Sequence, residues 1–194
     1  MKKVYVIMSH TGTILSRLIR MNTGAEYTHV SISLDENLSR MYSFGRIYPH
    51  IAFIGGFVRE SKHYGTFKRF KNTEVTILEL EVTEKQYDEI TENIFYIRKN
   101  KKKYRFNILG LVIAGLNKKR IKENYFYCAE FVKYILTKGN VDVSNLPDVI
   151  KPEDFKELKN AEIIYKGYLR DYVVEEIGLI SYIKTIASDK TITV

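Results

Sequence analysis

Residues 28–45 have the sequence pattern of two paired β-strands. From Thr28 to Leu34, apolar and polar residues alternate, which is the period of a strand with one apolar and one polar face. The apolar face carries Val30, Ile32 and Leu34, and the polar face carries His29, Ser31 and Ser33. A turn at residues 35–37 and a second strand-like run from Arg40 to Gly45 follow. The pattern predicts an antiparallel hairpin whose first strand is half-buried.

The remaining sequence mixes strand-like and helix-like segments. Three further strands are predicted, at Val4–Met8, Glu74–Val82 and Glu162–Tyr168. Four helices are predicted, at Thr13–Met21, Thr83–Ile97, Phe106–Leu116 and Tyr127–Lys138, and the second begins with a capping box, Thr83-x-x-Gln86. Residues 47–71 are predicted to be a long loop with at most one short strand. We therefore expect one α+β domain over residues 1–194, with an antiparallel sheet packed against helices.

Length and cysteine content limit the class of protein. The chain has 194 residues, 45% of them hydrophobic and 28% charged, as is typical of one globular domain. Cys128 is the single cysteine, which excludes an intramolecular disulfide and a multi-cysteine zinc site. The apolar run Val4–Met8 is too short for a signal peptide, and the longest run, Ile108–Leu116, is about half a membrane span. We therefore expect a cytoplasmic protein.

The chain is basic, with a formal net charge of +8. Much of the excess charge lies in two clusters, at Arg98–Arg105 and Lys118–Lys122, which flank the apolar run at 108–116. One interpretation is a solvated rim around that run. The other is contact with an anionic membrane surface, which would make the protein peripheral to the membrane. No nucleic-acid-binding motif accompanies the charge, so no specific nucleic-acid partner is expected.

Cys128 and His29 are the residues best placed for chemistry. Cys128 lies at the N-terminus of a predicted helix, where unpaired backbone N–H groups and the helix dipole stabilise a thiolate. Taken alone, it fits an inert core cysteine better than a nucleophile, because free cysteine is among the most buried residue types. His29 opens a predicted strand on its polar face, and a histidine held on a strand can pair with a cysteine held on a helix. Taken alone, it is equally consistent with a surface histidine.

Four stretches of the sequence resemble a known family. Residues 11–20 (TGTILSRLIR) and 23–32 (TGAEYTHVSI) contain the histidine, and residues 126–132 (FYCAEFV) contain the cysteine with an aromatic residue before it. Residues 150–155 (IKPEDF) resemble the proline-containing helix start that follows. Together they resemble the permuted branch of the NlpC-type papain-like cysteine hydrolases, in particular the YiiX-like group. In that branch the histidine precedes the cysteine, as His29 precedes Cys128.

The resemblance implies a circularly permuted papain-like fold and a cysteine-dependent hydrolase or acyltransferase. Cys128 would be the nucleophile that forms a thioester, and His29 would be the base that then protonates the leaving group. Backbone N–H groups at the start of the cysteine helix would help hold the oxyanion. A small-molecule, peptide or lipid substrate with an amide or ester bond is expected. His50 and His63 have no paired ligand spacing, so we expect neither a metal site nor a cofactor.

The third residue of the site departs from the family pattern. Relatives carry His, Glu, Asn or Gln on the strand that pairs with the histidine strand. If the hairpin folds about Glu36, His29 lies opposite Ser43, whose hydroxyl can accept the imidazole N–H bond but carries no charge. Ser43 is therefore the predicted third residue, unless Glu60 reaches in from the loop. The alternative function is a non-catalytic protein that binds anionic lipid or nucleic acid through its basic face.

Overall fold

A computed structural model describes residues 1–12, 24–48, 54–107 and 123–174, and its main feature is a six-stranded antiparallel sheet. Its strands are β1 (Lys2–His10), β2 (His29–Ser33), β3 (Met41–Arg46), β4 (Gly55–Glu60), β5 (Glu74–Val82) and β8 (Ala161–Tyr168). Their order in the sheet is β4-β3-β2-β1-β5-β8. Two short strands, β6 (Arg105–Phe106) and β7 (Tyr125–Phe126), form a separate parallel pair. The α-helices are α1 (Gly65–Arg69), α2 (Glu84–Lys99) and α3 (Cys128–Lys138). Three 3-10 helices cover Lys101–Lys103, Pro152–Glu157 and Leu169–Asp171.

The α+β class and the antiparallel sheet are confirmed, and all five predicted strands are present. The region 47–71, predicted as a loop with at most one short strand, contains one strand, β4, and also helix α1, which was not predicted. The helix predicted at Thr13–Met21 lies outside the described residues. The helix predicted from Phe106 was wrong at its start, because Phe106 belongs to strand β6; its residues from 108 onwards lie outside the described part of the chain.

Helices α2 and α3 pack on one face of the sheet. The predicted capping box is present at α2, where the Gln86 N–H donates to Thr83 Oγ1 at 3.1 Å and the Thr83 N–H donates to Gln86 Oε1 at 2.9 Å. The buried face of α2 consists of Ile90, Ile94 and Ile97, and that of α3 includes Phe131, Val132, Ile135 and Leu136. Both faces join the main core with the apolar residues of β2. The first residue of α3, Cys128, is thereby held against the sheet.

The second face of the sheet is also covered, which corrects the prediction that β2 is half-buried. A smaller cluster on that face includes Tyr5 and Ile7 of β1, Met41 of β3 and Phe67 of α1. Ser31 and Ser33 are fully buried, although the alternating pattern predicted an open polar face. A period of two gives the side of a strand on which a residue lies, but it does not show what packs there.

Candidate active site

His29 is the first residue of β2, opposite Ser9 of β1. Its Nε2 lies 2.9 Å from Oε1 of Glu60, the last residue of β4. Both side chains are largely buried, with 18% and 14% of their surfaces exposed. The partner of the histidine is therefore a carboxylate that comes from the edge of the sheet, two strands away.

Cys128 approaches the same ring from helix α3. Its side chain lies close enough to His29 to raise the pKa of the ring, and the residue is 4% exposed. The start of the helix is fixed by Glu130, whose Oε2 accepts the Tyr127 N–H at 3.1 Å. The Tyr127 hydroxyl in turn donates to the Ile150 carbonyl at 2.9 Å. The thiol and the Glu60 carboxylate thus both lie at the imidazole, and the three groups are carried by α3, β4 and β2.

The electrostatics favour a protonated His29. Burial of the ring lowers the pKa of His29, but the charge of Glu60, its hydrogen bond to the ring and the neighbouring Cys128 together raise it by more, to about 10. At neutral pH the ring is therefore an imidazolium that faces a carboxylate on one side and the sulfur on the other. A protonated ring beside a cysteine is the arrangement that stabilises a thiolate.

Ser43 does not lie opposite His29, and the predicted register was wrong. Ile32 pairs with Tyr42, a register that places Ser43 opposite Ser31 and Gly45 opposite His29. Ser43 is fully buried, and its Oγ has no hydrogen-bond partner among the described residues. The bond predicted from Ser43 to the imidazole is instead made by Glu60.

Gly45 leaves the space that the His29 ring occupies. A Cβ atom at this position would lie 3.2 Å from His29 Cε1, 3.4 Å from Ser43 Oγ and 3.7 Å from Glu60 Oε1. The first of these distances is shorter than an ordinary van der Waals contact. A side chain at position 45 would therefore press on the ring at the carbon between its two nitrogens.

We expect Gly45→Ala to slow alkylation of Cys128 by iodoacetamide several-fold, because the added methyl group displaces the ring. Gly56→Ala is the matched control, since Gly56 is the strand partner of Gly45 and a Cβ there meets only the end of the Ile47 side chain, at 3.3 Å. Rates measured at pH 7 on both variants test this prediction. Equal rates in the two variants would contradict it.

The other histidines are not part of this arrangement. His10, the last residue of β1, is buried opposite Glu74 of β5. His63 is exposed, and its backbone N–H donates to Ser61 Oγ at 3.1 Å. His50 lies outside the described residues. Within the described ranges, no group of three or more His, Cys, Asp or Glu side chains is arranged to hold a metal ion.

Comparisons with protein-family models and with curated proteins found no match to this chain. The site is therefore interpreted from its own geometry and from the sequence motifs. Sequence reasoning named Cys128 and His29 and gave Glu60 only as an alternative from a loop. Glu60 ends the short run Phe57-Val58-Arg59-Glu60, which follows two glycines, Gly55 and Gly56. Such a run is too short to indicate from the sequence which strand carries Glu60.

Proposed function

We propose that this protein is a cysteine-dependent hydrolase or acyltransferase that acts on an amide or ester bond. The observation that supports it best is the His29 ring, which is hydrogen-bonded to Glu60 at 2.9 Å and has a raised pKa to which Cys128 also contributes. A nucleophile, a base and a group that orients the base are the parts that covalent catalysis by a thiol needs. Cys128 and His29 are the proposed catalytic residues, and Glu60 is the positioning residue.

The first half-reaction forms a thioester. The Cys128 sulfur attacks the carbonyl carbon, and the electron pair of the C=O bond moves to the oxygen. N–H groups of the first turn of α3 have no acceptor within the helix, so they are available to the oxyanion. The oxyanion then collapses, the bond to the leaving group breaks, and His29 gives its proton to the departing nitrogen or oxygen.

The second half-reaction releases the acyl group. A water molecule or an acceptor hydroxyl or amine attacks the thioester carbon while neutral His29 removes its proton. The C–S bond breaks, and the thiolate–imidazolium pair is restored. Water as the acceptor gives hydrolysis, and an alcohol or amine gives acyl transfer.

The fold proposed for this chemistry is the circularly permuted papain-like one. Two features support it: the histidine strand β2 precedes the cysteine helix α3 in the chain, and α3 packs against β2 and β3. The sequence motifs around His29 and Cys128 support the same assignment.

Acyl-enzyme trapping tests the proposed function. With p-nitrophenyl acetate we expect a burst of p-nitrophenol and an acetyl group on the peptide that contains Cys128, detected by mass spectrometry after acid quench. Cys128→Ser, which keeps a small polar side chain, is the control and should show no burst. Release of p-nitrophenol at the same rate in both proteins, with no adduct, would contradict the proposal.

A second candidate function rests on the basic surface. Arg98, Lys99, Lys101–Lys103 and Arg105 are exposed at the end of α2, beside the exposed aromatic rings of Phe95 and Tyr96. Cations beside aromatic rings favour an anionic membrane surface. Among the described residues, none of the helices has the length and hydrophobicity that crossing a bilayer requires. The Cys128→Ser variant distinguishes the two functions, because salt-sensitive binding to anionic vesicles would survive the substitution whereas the acyl-enzyme burst would not.

A further inference from the structure

A small cavity of about 160 Å³ adjoins the proposed active site on the Glu60 side. Its walls include Arg46, Glu60, Ser61, Thr66 and Phe67. None of these residues except Glu60 has a role in the chemistry proposed above.

The cavity adjoins His29 through two of its lining residues, Glu60 and Phe67. Glu60 both lines the cavity and holds His29 Nε2, and the ring centroid of Phe67 lies 6.5 Å from that of His29. Arg46 directly follows Gly45, the residue opposite His29. A group bound in this cavity would therefore lie within one side chain of the imidazole.

Arg46 brings a partly buried positive charge to the cavity wall. Burial lowers the pKa of the guanidinium, and the charge of Glu60 in the same wall acts in the opposite direction. The hydrogen-bond partner of Glu60 is nevertheless His29, at 2.9 Å. Arg59, the second arginine of the wall, is exposed and donates to the Ser39 carbonyl at 3.1 Å. Among the described residues, the Arg46 guanidinium has neither a hydrogen bond nor an ion pair within 4 Å, so its donors are open to a ligand.

We propose that this cavity binds an oxyanion of the substrate, a carboxylate or a phosphate, through the Arg46 guanidinium. This inference rests on the proposed function and narrows its substrate class to amides or esters that carry an anionic group near the bond that is cut. The planar guanidinium matches either oxyanion with two parallel N–H bonds. The hydroxyls of Ser61 and Thr66 supply further donors in the same wall.

Two measurements test this proposal. In the first, calorimetric titrations with inorganic phosphate and with glutarate, at constant ionic strength, measure anion binding without any turnover. We expect one of the two anions to bind, and to bind at least about tenfold more weakly to Arg46→Met, because a charge-assisted hydrogen bond is lost. The tighter anion identifies the group as phosphate or carboxylate. Arg46→Lys should bind with intermediate affinity.

In the second measurement, p-nitrophenyl acetate is compared with the p-nitrophenyl monoester of glutarate, which carries a free carboxylate. We expect the wild type to prefer the anionic ester, and Arg46→Met to lose about tenfold of that preference, mainly through KM. Arg170→Met is the matched control, since the Arg170 guanidinium donates to Asn72 at 2.9 Å outside this cavity.

The outcomes separate the two proposals. Absence of acyl transfer to Cys128 from either ester contradicts the proposed function, and the titrations then decide the anion site alone. Acyl transfer at equal rates from both esters, with no anion binding that depends on Arg46, overturns the inference. An effect of Arg170→Met as large as that of Arg46→Met also overturns it, because net charge would then explain the preference.

Discussion

Replacing His29 with glutamine should slow alkylation of Cys128 by iodoacetamide at pH 7 by about 10²-fold or more. The amide of glutamine still donates a hydrogen bond to Glu60, so the carboxylate keeps a partner. It carries no proton that it can exchange with the sulfur, and it supplies no positive charge to stabilise a thiolate. The rate constant is measured from the mass of the Cys128 peptide over time.

His63→Gln is the matched control for this prediction. It makes the same chemical change at an exposed histidine outside the site, and the wild-type rate should be retained. A thermal unfolding curve for each variant separates loss of reactivity from loss of structure. Equal alkylation rates in His29→Gln and His63→Gln would contradict the role proposed for His29.

The hairpin shows how far a sequence pattern determines a site. Alternation correctly gave both strands and the face of each residue, but register depends on the turn. The turn is fixed at Leu38, which is buried and adopts a left-handed conformation (φ 57°). Its N–H donates to the Asp35 carbonyl at 3.1 Å. Its centre therefore moves by one residue, which moves the partner of His29 by two residues, from Ser43 to Gly45.

The residues from the predicted loop show what a pattern cannot give. Glu60 contacts His29 because β4 pairs with β3 along its whole length, and the pairing of one strand with another leaves no periodic trace in the sequence. A role for Arg46 could not be predicted either, because the residue directly follows a predicted strand and no motif surrounds it. The proximity of Cys128 and His29 could be predicted, because short motifs and a helix terminus carry local information.

The two faces of the sheet illustrate the same limit. The apolar faces of α2 and α3 were predicted from their period, and both pack in the main core. The burial of Ser31 and Ser33 was not predicted, because the apolar cluster on their face of the sheet includes Phe67, Leu169 and Tyr172, which lie far along the chain. Local patterns therefore gave the elements, whereas the surroundings of the site arise from long-range packing.

Replacing Glu60 with glutamine should lower the pKa of His29 from about 10 toward its ordinary value of 6.5. Glutamine keeps a hydrogen-bonding oxygen near Nε2 but removes the charge, and loss of an opposite charge at this distance shifts a pKa by about one to three units. The shift is measured from the pH dependence of the NMR signal of the His29 ring. Glu153→Gln, at a partly buried carboxylate outside this pair, is the control and should leave the His29 signal unchanged.

The same substitution should change how stability depends on pH. Because the pKa of His29 is raised in the folded state, its ion pair stabilises the wild type fully below about pH 6.5 and progressively less as the pH rises through about 10. The wild-type advantage over Glu60→Gln, about 1.4–4 kcal/mol for a shift of one to three units, should therefore be present at pH 6 and shrink toward pH 10. Urea unfolding of both proteins at these two pH values measures it. An advantage that stays constant or grows with pH would mean that Glu60 does not act through the charge of His29.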